Sequence, residues 1–173
     1  MTIDVEYITF GSMNRIGDNL IHFGANENIV RSLRDAGAKF VVVGGLAVAW
    51  HCRERQADDM DLLVDPTTEN SVRIHKALAC LGLTGFGPES FARLGLQVSL
   101  KQNYHADLLT PEAGGLSYLE IESAAVDAML FGFPVRVASV STLLQMKSRA
   151  AMDESHRQKH ETDIALLKHQ NAA

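Results

Sequence analysis

The sequence predicts a mixed α/β fold, a small sheet with helices packed against it. Short β-branched runs such as Phe40-Val41-Val42-Val43 are bounded by turn residues, stretches of helical period separate them, and later runs come in hairpin-like pairs. At 173 residues, with 46% hydrophobic residues and four prolines, the chain fits one domain spanning 1–173, with residues 139–170 as a helical part packed on it.

From Asn26 to Ala36, Ile29, Val30 and Leu33 fall on helical spacing, and Gly37 is placed to end the helix. Phe40–Val43 reads as a buried strand, broken by Gly44-Gly45, after which Leu46–Cys52 reads as a short helix. Met60–Val64 is the next strand. Pro66-Thr67-Thr68 turns the chain into a helix over Ser71–Leu81, with Val72, Leu78 and Leu81 on its apolar side. Gly82, Gly85, Gly87 and Pro88 mark a loop. Gln97–Leu100 and His105–Leu109 pair as a hairpin around Lys101-Gln102-Asn103, and a second hairpin joins Ala128–Phe131 to Val135–Ala138 through Gly132-Phe133-Pro134. Two helices, Ser139–Met152 and His156–His169, follow, the first capped by Ser139 or Ser141, and Asn171-Ala172-Ala173 should fray.

Composition excludes several classes. Formal net charge is -5, from 16 Lys plus Arg against 21 Asp plus Glu, so charge does not point to non-specific nucleic-acid binding. Cys52 and Cys80 have no zinc-like spacing and read as reduced thiols, consistent with a cytoplasmic location. The acidic Met1–Glu6 start has neither the basic nor the apolar region of an export signal. The longest apolar stretch, Phe40–Trp50, falls short of the ~18 residues of a membrane span.

The chemistry concentrates at Asp59-Met60-Asp61. Side chains alternate along a strand, so Asp59 and Asp61 share one face while Met60, Leu62 and Val64 share the core face. Two ionised carboxylates so placed repel unless a cation sits between them, and a hard divalent ion is the simplest guest. Gly44-Gly45, thirteen residues upstream, lets backbone amides approach a phosphate at the start of a helix. If the glycine turn ends a neighbouring strand, it would hold a triphosphate tail while the metal bridges its oxygens. Asp107, a lone carboxylate within His105-Ala106-Asp107-Leu108-Leu109, is the candidate third acid, able to bind a metal and accept a proton from an attacking hydroxyl; Asp65 and Asp127 are rival acids near apolar segments.

Gly44-Gly45, the thirteen-residue spacer and Asp59-Met60-Asp61-Leu62 resemble the signature of the nucleotidyltransferase superfamily that includes DNA polymerase β. Val43-Gly44-Gly45-Leu46-Ala47-Val48, the basic Arg53 and Arg55, and Leu143-Leu144-Gln145-Met146-Lys147 are more narrowly similar to its AbiEii-type toxin and small antibiotic nucleotidyltransferase branches. The likeness runs from about Phe40 to Leu167. In the late helical motif Lys147, Arg157 and Asp163 match, whereas Lys159-His160 and Ala57 depart from the usual residues. The resemblance implies a nucleotidyltransferase fold and transfer of a nucleoside monophosphate from an NTP, ATP for example, to an acceptor hydroxyl on a small molecule, a protein or an RNA end, releasing pyrophosphate. It implies two Mg2+ ions, or Mn2+ in their stead, with Asp59 and Asp61 on both and Asp107 completing one, and with Gly44, Gly45 and Lys147 on the nucleotide phosphates. The alternative it implies is a non-catalytic nucleotide- or partner-binding protein of the same fold, such as a toxin–antitoxin component, partnered by an antitoxin or a second copy.

Blander readings stand beside these. Gly44-Gly45 alone is commonly a plain turn, and Asp59-x-Asp61 alone could lie on an exposed edge; the combination is what carries function. An EF-hand is excluded because Leu62-Leu63-Val64 supplies neither its glycine nor polar ligands, and a glycosyltransferase Asp-x-Asp site would leave the glycine turn unexplained. His51, His105 and His160 share no ligand spacing and read as surface or packing residues, with His105 beside Asp107 in any cleft. Arg53, Arg55, Arg157 and Asp58 read first as surface or flanking residues, and Asp163 as the partner of Lys147 or Arg157.

Overall fold

Strands β1 (Phe40–Val43), β2 (Met60–Val64), β3 (Gln97–Ser99), β4 (Ala106–Leu109), β5 (Val126–Leu130) and β6 (Phe133–Val137) form one six-stranded mixed sheet in the computed structural model, which describes residues 25–101 and 103–172. The order is β3-β4-β2-β1-β6-β5. β1 is antiparallel to β2 and parallel to β6, β2 is parallel to β4, and β3 and β5 close the two edges as antiparallel neighbours of β4 and β6. The apolar runs read as strands are thus the middle of the sheet, where Val41, Val42, Leu62, Val64 and Leu108 are fully buried.

Helices α1 (Asn26–Asp35) and α3 (Thr68–Cys80) pack on each other, while α2 (Gly44–His51) packs on β1 and β2 and is covered by α5 (Val140–Ala150) and α6 (Arg157–Ala172). α1 buries the expected Ile29, Val30 and Leu33. α5 is capped by Ser139, whose hydroxyl accepts from the Thr142 amide at 3.2 Å. Both expected hairpins form.

Several boundaries differ from expectation, each for a local reason. α2 begins at Gly44 itself, whose φ of +66° turns the chain from strand into helix without a spacer. α3 begins three residues earlier than its apolar spacing suggests, because Thr67 caps it by accepting from the Asn70 amide. Its buried face is Asn70, Ser71, Ile74, Ala77 and Leu78; Val72 and Leu81 are only half-buried. The second hairpin turns at Phe131-Gly132, both at positive φ, so Pro134 lies within β6 opposite Met129. β1 reaches β6 only at Val137, which leaves room for that proline, whose carbonyl accepts from Arg34 instead.

A further helix, α4 (Tyr118–Ala124), lies where no element was expected; it starts with a capping box between Ser117 and Glu120. α6 continues through Asn171 to Ala172 rather than fraying. The start of the chain read for an export signal, the turn residue Gln102 and Ala173 lie outside the described residues. Among the described residues no helix is long and apolar enough to cross a membrane, and Cys52 and Cys80 are both free thiols, Cys52 buried and Cys80 exposed.

Candidate active site

Strand register brings the singled-out residues into line. Val43, the last residue of β1, pairs with Asp61 on β2; Asp61 pairs with Asp107 on β4; Asp107 pairs with Ser99 on β3. Two acids 46 positions apart in sequence therefore stand side by side on parallel strands, and Gly44 begins at the end of the next. Asp59 precedes β2 instead of lying within it, yet one carboxylate oxygen from each of Asp59, Asp61 and Asp107 falls within 4.8 Å of the others. Oxygens around one hard divalent cation lie up to about 4–5 Å apart, so the trio has the span of a shared cation site.

The electrostatics are those of crowded negative charge. Burial, then the neighbouring carboxylates of Asp59 and Asp107, push the Asp61 carboxyl from its ordinary 3.8 up to about 7, against the opposing pull of Lys147 and Lys101. Asp107 is 3% exposed. Its Oδ2 accepts from Gln97 Nε2 at 3.0 Å, while its Oδ1 is buried with no hydrogen-bond partner. Lys101 reaches in from the β3–β4 turn, its Nζ 2.9 Å from Asp59 Oδ2 and 3.7 Å from Asp107 Oδ2. A buried carboxylate oxygen left without a donor is costly unless something positive meets it, and three anionic oxygen donors suit Mg2+ or Mn2+ better than a soft metal. The residues present fit a divalent cation.

The glycine turn is shaped by the same acids. A Cβ on Gly44 would fall 1.9 Å from Asp61 Oδ2, and one on Gly45 would lie 3.3 Å from Arg55 Nη2, so a carboxylate and a guanidinium close on the two glycines. Gly44, Gly45, Asp61 and Lys147 line one cleft of about 1010 Å³. Its far wall carries Arg149, His156, Lys159, His160 and Lys168 from the two C-terminal helices and the turn between them. The segment from Leu109 to Leu116 closes the side, whereas the loop from Gly82 to Pro88 does not line this cleft.

Lys147 is buried despite its charge. It is 7% exposed, and its Nζ lies 2.6 Å from Oδ2 of Asp163, itself 1% exposed, whose Oδ1 accepts from Arg55 Nε at 2.8 Å. Burial alone would raise the Asp163 carboxyl, but Arg55 and Lys147 hold it below the usual range. Asp163 thus ties Lys147, which lines the cleft, to Arg55. Arg157, the other partner considered for Asp163, instead lies 3.9 Å from Glu154 and donates to the Ala151 carbonyl.

The remaining candidates are placed elsewhere. Asp127 pairs with Arg136 on the β5–β6 hairpin, and Asp65 accepts from the Thr67 amide near the start of α3. Asp58 and Arg53 are exposed. His51 Nε2 lies 2.9 Å from the Ala138 carbonyl in a packing role, and burial lowers its pKa. His105 is exposed and does not line the cleft; His160, read as a packing residue, does. Two contributors had not been singled out. Gln97 orients Asp107, and the buried Asn26 side chain donates to the His105 carbonyl and accepts from the His105 amide, both at 3.0 Å, fixing the chain two residues before Asp107. Gln97 looks like any strand-edge polar residue. Asn26, 79 positions from its partner, looks like a cap.

No family model matches the chain, and no curated protein does. Among solved structures it is similar to an antigenic nucleotidyltransferase-like protein from Paracoccidioides brasiliensis, with 13% identity, 83% of this chain and 76% of that one covered, and a TM-score of 0.49. It is also similar to ANT(2")-Ia, solved in complex with adenylyl-2"-tobramycin, with 16% identity, 82% and 84% of the two chains covered, and a TM-score of 0.53. At such identity the likeness with ANT(2")-Ia speaks for architecture alone, and the chain has the mixed α/β nucleotidyltransferase fold.

Proposed function

We propose that the protein is a metal-dependent nucleotidyltransferase that moves a nucleoside monophosphate from an NTP to an acceptor hydroxyl. The observation that carries this reading is the row Val43-Asp61-Asp107 across three neighbouring strands, with Asp59 beside it and the Gly44-Gly45 turn at its end. Asp59, Asp61 and Asp107 would hold Mg2+ or Mn2+, which when bound supplies positive charge to the triphosphate oxygens and lowers the pKa of an attacking hydroxyl. Gly44 and Gly45 admit the phosphates close to the backbone at the start of α2, where the helix dipole favours negative charge. Lys147, which lines the same cleft, would meet the negative charge of that tail. The acceptor oxygen bonds to the α-phosphorus, the bond from that phosphorus to the bridging oxygen breaks, and pyrophosphate leaves. Asp107 would take the hydroxyl proton, a role that its partnerless Oδ1 supports.

The fold supports the donor half of this reaction, since ANT(2")-Ia, with the same architecture, was solved with an adenylylated ligand. The reading is tested by incubating the protein with each NTP labelled at the α-phosphate, Mg2+ and cell extract. Wild type should pass label to an acceptor, and Asp59→Ala with Asp61→Ala should not; equal transfer by both sinks the proposed site.

A further inference from the structure

The two-ion arrangement implied by the family resemblance meets an obstacle in this chain, namely Lys101. We infer that the Lys101 ammonium takes the place of one of the two divalent cations, so that the acid trio binds a single ion. The inference rests on the metal-dependent reading above and concerns only how its charge is supplied.

Lys101 lies in the turn between β3 and β4. That turn is pinned, because the Leu100 amide donates to the Ala106 carbonyl at 2.9 Å and the Tyr104 amide donates to the Leu100 carbonyl at 2.8 Å. From there its Nζ meets Asp59 Oδ2 at 2.9 Å and approaches Asp107 Oδ2 at 3.7 Å, the position of an ion shared by those two acids. Asp107 Oδ2 is further engaged by Gln97. An ion sharing these two oxygens would have to displace Lys101. The trio's ligand oxygens, all within 4.8 Å of one another, then have one ion to share. Charge agrees with this count: three carboxylates are balanced by one ammonium and one divalent cation. The side chain is 52% exposed, so it is not held there by packing against the core.

The test counts ions directly. Mn2+ bound to the protein with a non-hydrolysable analogue of each NTP is followed by electron paramagnetic resonance, in which two ions about 3.5–4 Å apart couple and a lone ion does not. Wild type and Lys101→Arg should bind one uncoupled Mn2+ per chain, and Lys101→Met should bind two, coupled. A coupled pair in wild type, or one ion in Lys101→Met, overturns the inference and leaves the metal-dependent reading standing. Absence of bound Mn2+ in wild type overturns both. Lys101→Ala, on the same half-exposed turn, repeats the count should the methionine variant fold poorly.

Discussion

At the scale of single residues, the site trades stability for charge. Asp61 is squeezed between two carboxylates on a buried strand, so replacing it should separate activity from stability. Changing a group that only hydrogen-bonds a metal's ligand already lowers affinity or activity about 10–100-fold; Asp61→Asn alters a ligand itself and should lower label transfer by more than about 100-fold. The same variant should raise the thermal midpoint in divalent-free buffer, since a neutral amide relieves the repulsion. A calorimetric scan that shows Asp61→Asn less stable than wild type would count against the crowding. Gly44 is bound to the same chemistry by geometry. With φ at +66° and Asp61 Oδ2 where a Cβ would go, Gly44→Ala must strain the backbone and displace the carboxylate. It should cost about 2 kcal/mol or more by denaturant titration and weaken Mg2+ binding as well. Wild-type Mg2+ affinity in that variant would contradict the close approach.

At the scale of elements, the glycine turn, the acid pair and the central strands were legible because each rests on a local pattern: a strand run, a glycine pair, carboxylates in apolar company. What escaped depends on long-range pairing. The register that sets Asp107 beside Asp61 has no local signature, and neither does the clamp of Asn26 on His105. α4 was missed despite its Ser117 and Glu120 capping box, because its seven residues are too few for a helical period to stand out. The C-terminal helices show the same limit. Lys147 on α5 looks like a solvated lysine until Asp163 on α6, itself bonded to Arg55 in the segment after α2, closes on it. That cluster joins three parts of the chain behind the cleft. Asp163→Ala would remove the buried anion that meets both Lys147 and Arg55 and should destabilise the fold by about 3 kcal/mol or more, read by chemical denaturation. A loss under about 1 kcal/mol, the range of exposed pairs, would show the cluster to be dispensable.

At the scale of the whole molecule, the acid trio should make stability depend on pH and on divalent cations together. The unfolded chain releases the Asp61 proton near 3.8, whereas the folded chain keeps it to about 7. Between those values the folded state binds the extra proton, so stability falls as pH rises through the window. The difference in thermal midpoint between wild type and Asp61→Asn should therefore widen from about pH 4 to about pH 7 in chelator and shrink when Mg2+ is added, because the ion favours the ionised carboxylate. A difference independent of pH would contradict the assigned crowding. The net charge of -5 adds a general repulsion at neutral pH, and among the described residues the trio concentrates it where a cation can answer it. The central claim, that Asp59, Asp61 and Asp107 with the Gly44-Gly45 turn hold a triphosphate through a metal, is tested most directly by titrating each NTP into the protein calorimetrically, with Mg2+ and with chelator. The account predicts that at least one NTP binds wild type only with Mg2+, and that Asp59→Ala with Asp61→Ala abolishes that binding. Binding that is equally tight in chelator or in the double variant, or no binding of any NTP to wild type, would contradict it.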